Sequence, residues 1–150
     1  MRLLIPPPVQ ALICAGLIWF LSGMLPQLAF EFPWQERVAI ALVALGLAID
    51  FSSIRLFVRA DTTINPYTPD KSETLVTNGI YKYTRNPMYV GMVIFLTAFG
   101  LWIGNWMFLP LTGLFIWYIT KFQIVPEEEV LQEKFGDDYS EYRHKVRRWI

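Results

Sequence analysis

Four stretches of the chain are apolar without interruption, and polar residues are confined to the segments between and after them. Val9 to Leu28 holds no charged residue, Val38 to Val58 holds only Asp50 and Arg55, Met88 to Gly104 holds none, and Trp106 to Val125 holds only Lys121. The apolar positions run together instead of recurring every three or four residues, so these segments do not read as faces of soluble amphipathic helices. A hydrocarbon core about 30 Å thick takes roughly 20 residues at 1.5 Å rise each. The pattern therefore predicts an all-α integral membrane bundle of about four transmembrane helices, forming one domain over residues 1–150.

Local signals refine the connections. Gly104-Asn105 is a turn-forming pair that predicts a very tight hairpin between the third and fourth spans. Pro110, one turn into the fourth span, predicts a kink. Polar residues collect in two stretches, Arg59 to Arg85 and Pro126 to Ile150. The second reads as a separate helical segment. Pro126 suits a first-turn position, and Glu127, Glu128 and Glu129 follow where the helix dipole favours anions. Gly136 is expected to break that helix, with Asp137 or Asp138 capping another that ends in the basic run Arg143 to Arg148. The first apolar run lacks a basic leader beyond Arg2 and a small-residue cleavage site, so it reads as a retained span.

Charge adds orientation. The chain is 54% hydrophobic and only 17% charged, against about a quarter charged in soluble domains. Its formal net charge is zero, which gives no footing for a nucleic-acid partner. If the spans alternate, twelve of the thirteen Lys and Arg residues fall on one side and Arg37 alone on the other. Both termini are then expected in the cytoplasm, in an inner or plasma membrane. Trp19, Trp34, Trp102, Trp106, Trp117 and Trp149 fall mostly near run ends, where interfacial indoles belong. The single cysteine, Cys14, reads as packing and excludes an intrachain disulfide.

Candidate chemistry lies in the polar stretches. The segment Leu75 to Gly91 sets three tyrosines among polar and small residues where the third span begins. A long loop of this kind supplies aromatic faces, backbone donors and a fixed cation, Arg85, at the bilayer edge, although tyrosine and basic residues are also ordinary interfacial anchors. Glu127 and Glu128 follow the fourth span directly. If the hairpin is tight, Arg85-Asn86-Pro87 and Glu127-Glu128 become neighbours at one end of the bundle, and Arg85 and Glu127 can converge on one polar ligand. His144, the only histidine, reads as solvated. Asp50 is costly inside a span unless paired, and Arg55 or Arg59 are its expected partners.

These residues resemble the isoprenylcysteine carboxyl methyltransferase and phospholipid methyltransferase superfamily of integral membrane enzymes. The resemblance is carried by Gly79-Ile80-Tyr81, by Arg85-Asn86-Pro87-Met88-Tyr89-Val90-Gly91, by Glu127-Glu128 after a hydrophobic hairpin, and by Phe135-Gly136-Asp137-Asp138-Tyr139-Ser140-Glu141-Tyr142. It covers about residues 64–150. It implies transfer of a methyl group from S-adenosyl-L-methionine to a lipid or lipidated small-molecule acceptor in the membrane. By position it implies a cofactor pocket roofed by the C-terminal segment. Leu75, Val76 and Tyr81 would line its nucleoside part; Arg85, Asn86 and Pro87 its methionine part; Tyr89, Glu127, Glu128 and Asn65 would add further cofactor contacts. Arg85 and Glu127 are the implied catalytic residues.

Two positions depart from the family pattern. Asn86 stands where a histidine is usual, and asparagine cannot titrate. Gln123 stands on the acceptor side where the isoprenylcysteine enzymes carry an arginine, so an ion pair to an acceptor carboxylate is not expected there. Two other classes remain open from sequence: a membrane reductase using a nicotinamide cofactor, for which no glycine-rich fingerprint is present, and a non-catalytic subunit or transporter.

Overall fold

The structure, a computed structural model, describes residues 5–59 and 75–150. Five α-helices occur among them: α1 (Pro7–Met24), α2 (Gln35–Arg59), α3 (Pro87–Ile103), α4 (Phe108–Ile119) and α5 (Val125–Lys145). Short 3₁₀ turns occupy Pro26–Leu28 and Gly79–Lys82, and a π-helical turn, Thr120–Ile124, joins α4 to α5. The all-α bundle read from the sequence is the architecture found. Helices α1 and α2 and the continuous α4–α5 rod are long and apolar enough to cross a membrane; α3 is a shorter apolar helix of 17 residues.

Helix α3 is the axis of the bundle, packing against α1, α2 and α4. It begins with Pro87, whose missing N–H costs nothing in a first turn. It ends at Gly104, left-handed at φ 70°, whose N–H reaches the Gly100 and Leu101 carbonyls. Two glycines let neighbours close onto it. A Cβ at Gly91 would stand 2.2 Å from Asp50 Oδ1 on α2, and one at Gly100 would stand 2.1 Å from Phe108 Cβ on α4. Small residues at such crossings allow the close backbone approach that membrane helices rely on. Cys14, Ile18, Tyr89, Leu96, Phe108, Phe115, Ile119 and Ile124 form the main core, while Leu12, Trp19, Phe51, Trp102 and Leu114 point outward. An apolar exterior of this kind is the face a bilayer covers.

The hairpin is as tight as Gly104-Asn105 suggested, and it is tied to the loop between α1 and α2. Phe30 N–H donates to Gly104 O at 2.7 Å and Trp106 N–H to Leu28 O at 3.0 Å. Buried Asn105 donates through Nδ2 to Leu25 O (2.9 Å) and Ser22 O (3.4 Å) and accepts the Met107 N–H at Oδ1 (3.0 Å).

Several expectations are corrected. The first helix stops at Met24, not Leu28, because Pro26 disfavours helical backbone before it and starts a 3₁₀ turn. Pro110 does not kink the fourth span: α4 starts at Phe108, so the proline sits in a first turn where its amide has no intrahelical duty. The fourth span does not end at Val125 before a separate helix. Pro126 is absorbed by the preceding π turn, in which Val125 N–H bonds the Thr120 carbonyl, and the rod runs on. Gly136 does bend it, at φ 53°, ψ −120°, a conformation reserved for glycine. The basic run is not all helical, because the chain turns extended at Val146. Trp149 is tied into the bundle: its indole N–H donates to Thr120 Oγ1 at 3.2 Å and its ring packs on the main core.

Candidate active site

The end of the bundle where α3 starts and the π turn lies is polar, and the chain's last residues fold across it. Once α5 ends, residues 146–149 run beside residues 84–86. Arg85 N–H donates to Arg147 O at 3.0 Å. Thr84 Oγ1 donates to Arg148 O (3.2 Å), and Asn86 Nδ2 donates to the same carbonyl (3.0 Å). Thr84 Oγ1 also accepts the Asn86 N–H at 3.1 Å. The segment that opens α3 is thus held by main-chain and side-chain bonds to the tail.

Glu127 and Glu128 diverge because adjacent helical residues point about 100° apart. Glu127 turns toward α3, where Tyr89 Oη donates to both its carboxylate oxygens at 2.9 and 3.1 Å. Gln123, one turn earlier and fully buried, donates its side-chain amide to Glu127 Oε1. Glu127 lies two residues beyond the apolar stretch ending at Val125. Glu128 turns the other way, into a fork from Arg148: Nε to Oε1 at 3.0 Å and Nη2 to Oε2 at 2.7 Å. Arg85 Nη2 meets Glu128 Oε1 from the opposite side at 3.2 Å. Arg85 therefore pairs with Glu128 and does not share a partner with Glu127.

Beside this network lies a second apolar cluster. Tyr81, Tyr139, Tyr142 and Val146 form it, with Leu75, Val76, Leu131 and Phe135 packed against them. Tyr142 Oη donates to Tyr81 O at 2.7 Å, which docks α5 beyond the Gly136 bend onto the turn before α3. Burial raises the Tyr81 phenol above its ordinary range, so it stays a neutral donor; it bonds Ser53 on α2. Of the residues singled out by sequence, Arg85, Asn86, Pro87, Tyr89, Gln123, Glu127 and Glu128 come together at this end, with Leu75, Val76 and Tyr81 beside them. Asn65 lies outside the described residues. His144 is exposed.

Not all polar atoms here are used. Arg85 Nε and Nη1 and Gln123 Oε1 are buried without a hydrogen-bond partner. Such atoms carry a substantial desolvation cost and suit a bound polar molecule. A guanidinium edge fits a carboxylate, and an amide oxygen beside a carboxylate fits hydroxyl or ammonium donors. The apolar cluster fits a flat ring. That set of donors, acceptors and apolar wall matches the parts of an amino acid nucleoside. Among the described residues no group of three or more His, Cys, Asp or Glu could hold a metal ion.

Sequence reasoning missed Thr84, Arg148 and Trp149, which were read as loop, basic run and anchor. Only their partners across space distinguish them. The triple Glu127-Glu128-Glu129 also loses its reading as a free helix N-terminus, because the π turn continues the helix into α5.

A family model described as phospholipid methyltransferase matches residues 34–138. Among curated proteins, the chain is 32% identical over 117 residues to a protein-S-isoprenylcysteine O-methyltransferase of Schizosaccharomyces pombe, covering 78% of this chain and 50% of that one. It is 28% identical over 119 residues to the enzyme of the same name from Tribolium castaneum, covering 77% and 41%. An uncharacterized Haemophilus influenzae protein is 44% identical over 63 residues, 42% of this chain and the whole of that one. The chain thus spans about half the length of the named enzymes it matches.

Proposed function

This chain belongs to the phospholipid methyltransferase family, and from that premise we propose that it is an S-adenosylmethionine-dependent methyltransferase acting on a lipid or lipidated acceptor. The observation that carries the reading is the set of buried, unpartnered polar atoms on Arg85 and Gln123, beside Glu127 and the Tyr81 cluster. Bound there, S-adenosylmethionine would supply an electrophilic methyl group on a sulfonium. The chain's own work is to bind, orient and keep water out, and well-oriented reactants recover about 7–11 kcal/mol in that way.

In this reading Arg85 directs Nε and Nη1 at the cofactor carboxylate, while its Nη2 stays fixed by Glu128. Asn86 and Pro87 present backbone at the start of α3. Glu127, held by Tyr89, accepts from the cofactor's hydroxyl or amino donors. Leu75, Val76 and Tyr81 enclose the base. Gln123 faces the acceptor side. Glu128, bound by two guanidiniums, acts on the cofactor through Arg85. Asn65 belongs to the same proposed site, which spans about residues 64–150. The membrane placement extends this: both termini are cytoplasmic, in an inner or plasma membrane, which puts the site on the side that holds the cofactor.

Two experiments test the proposal. Detergent-solubilised protein is expected to bind S-adenosylmethionine and its demethylated product at micromolar concentration in calorimetry and to ignore NADPH. A nicotinamide response without either sulfur-cofactor response would replace the methyltransferase reading with the reductase one. For orientation, a cysteine at Gln35 in a Cys14→Ser background is expected to react with impermeant maleimide in intact cells, and one at Ser140 to stay unlabelled. The opposite labelling pattern overturns the orientation.

A further inference from the structure

The end of the bundle away from the candidate active site carries a groove of its own. Where α1 stops beside the α3–α4 hairpin, a space of about 480 Å³ opens between Trp19, Phe20, Ser22 and Gly23 on α1 and Ile103 and Asn105 on the hairpin. That volume lies within the range of about 300–1,000 Å³ usual for small-molecule sites. Pro87 and Ile103 are the two ends of α3, so the groove lies about 24 Å from the polar end at 1.5 Å per residue.

Two hydrogen-bonding residues line this groove, and they differ in what they leave free. Asn105 is fully engaged: Nδ2 donates to the Leu25 and Ser22 carbonyls, and Oδ1 accepts the Met107 N–H. Ser22 is only 8% exposed, yet its Oγ is buried without a hydrogen-bond partner. A helical hydroxyl ordinarily relieves that cost by bonding the carbonyl one turn back. Ser52, Ser53, Thr97 and Thr120 all do so in this protein. Beside Ser22, nothing stands within 4 Å of where a Cβ would sit on Gly23. Exposed Trp19, Trp34, Trp102 and Trp106 surround this end, and such indoles gather at the depth where lipid tails meet headgroups.

We propose that this groove binds one diacyl lipid of the surrounding bilayer, with an acyl chain against α1 and the hairpin and its ester carbonyl accepting a hydrogen bond from Ser22 Oγ. Among the described residues no charged side chain lines the groove. A carboxylate, phosphate or ammonium seated there would be desolvated without a counterion. One free hydroxyl answers one acceptor, and an acyl ester presents such an acceptor at the head of a long apolar chain. The headgroup stays outside, at the level of the indoles. Neither the cofactor nor the methyl acceptor enters this site, which stands apart from the methyltransferase reading.

The test is native mass spectrometry of the purified protein, released from micelles that hold equal amounts of a diester phosphatidylcholine and its diether analogue, which lacks only the carbonyls. Wild-type protein is expected to retain the diester about 5-fold more, the effect of one neutral hydrogen bond. Ser22→Ala, which removes only an unpartnered hydroxyl, is expected to bring the two lipids to within about 1.5-fold of each other. Gly23→Leu fills open space and is expected to lower retention of both lipids by about 5-fold or more, with wild-type helix content by circular dichroism. The wild-type contrast and Gly23→Leu decide the matter should Ser22→Ala fail to fold. Equal retention of the two lipids by the wild type, a diester preference that survives Ser22→Ala, or retention unmoved by Gly23→Leu overturns the inference. A lipid-free dimer that Gly23→Leu dissociates puts a second copy of the chain in the groove and overturns it as well.

Discussion

Glu128→Gln is expected to lower the unfolding free energy in detergent by about 3–5 kcal/mol, while Glu129→Gln changes it by less than about 0.5 kcal/mol. Both are glutamates one residue apart at the same level of the rod, so the contrast isolates what the carboxylate touches. Glu128 is buried between Arg85, whose side chain is only 9% exposed, and the Arg148 fork. Its neutralisation leaves a buried guanidinium without its counterion, the arrangement in which breaking an ion pair is most damaging. Glu129 is exposed. Arg148→Ala is expected to cost less than Glu128→Gln, since the Arg85 contact survives and Arg148 is 33% exposed. Thermal or denaturant unfolding of the four proteins at one pH decides it. Equal small losses at both glutamates would mean that the tail is not fastened through this network.

Asn105→Gly is expected to destabilise the bundle by about 2–4 kcal/mol, because it removes the side chain that makes three hydrogen bonds at a buried site. Sequence alone forecasts almost no effect, since glycine serves a tight turn at least as well as asparagine. The difference arises because Asn105 does more than turn the chain. Its amide fastens the end of α1 to the α3–α4 hairpin, beside the backbone bonds Phe30–Gly104 and Trp106–Leu28. Unfolding measurements on Asn105→Gly and Asn105→Asp separate the two views. Tolerance of glycine reduces Asn105 to a turn residue. The aspartate variant keeps the acceptor for Met107 N–H and loses both donor bonds, so it should also be clearly destabilised.

The sequence by itself determined the number and rough limits of the apolar helices, because uninterrupted apolar runs of this length have few other stable solutions. It determined the hairpin, since Gly104 supplies the positive φ that the turn needs. It also brought Arg85-Asn86-Pro87 and Glu127-Glu128 to one end, because a tight hairpin sets residues at similar distances before and after it side by side. The tertiary structure alone decided how those groups are paired. Arg85 could be assigned to Glu127 or Glu128 only once the π turn at Thr120–Ile124 had set the phase of α5, and a one-residue shift there rotates every later side chain by about 100°. The tail's role was likewise invisible, since Arg148 and Trp149 act on residues 20 and 29 positions away along the chain. Asp50, read as half of a local ion pair with Arg55 or Arg59, faces Gly91 on α3 with one oxygen unanswered; Arg55 is exposed and makes no ion pair with it, and the Arg59 side chain lies outside the described residues. Helix formation is governed by neighbours within a turn or two, which a sequence displays. Pairing of side chains depends on helix rotation and closeness of packing, which are settled by contacts between segments far apart in the chain.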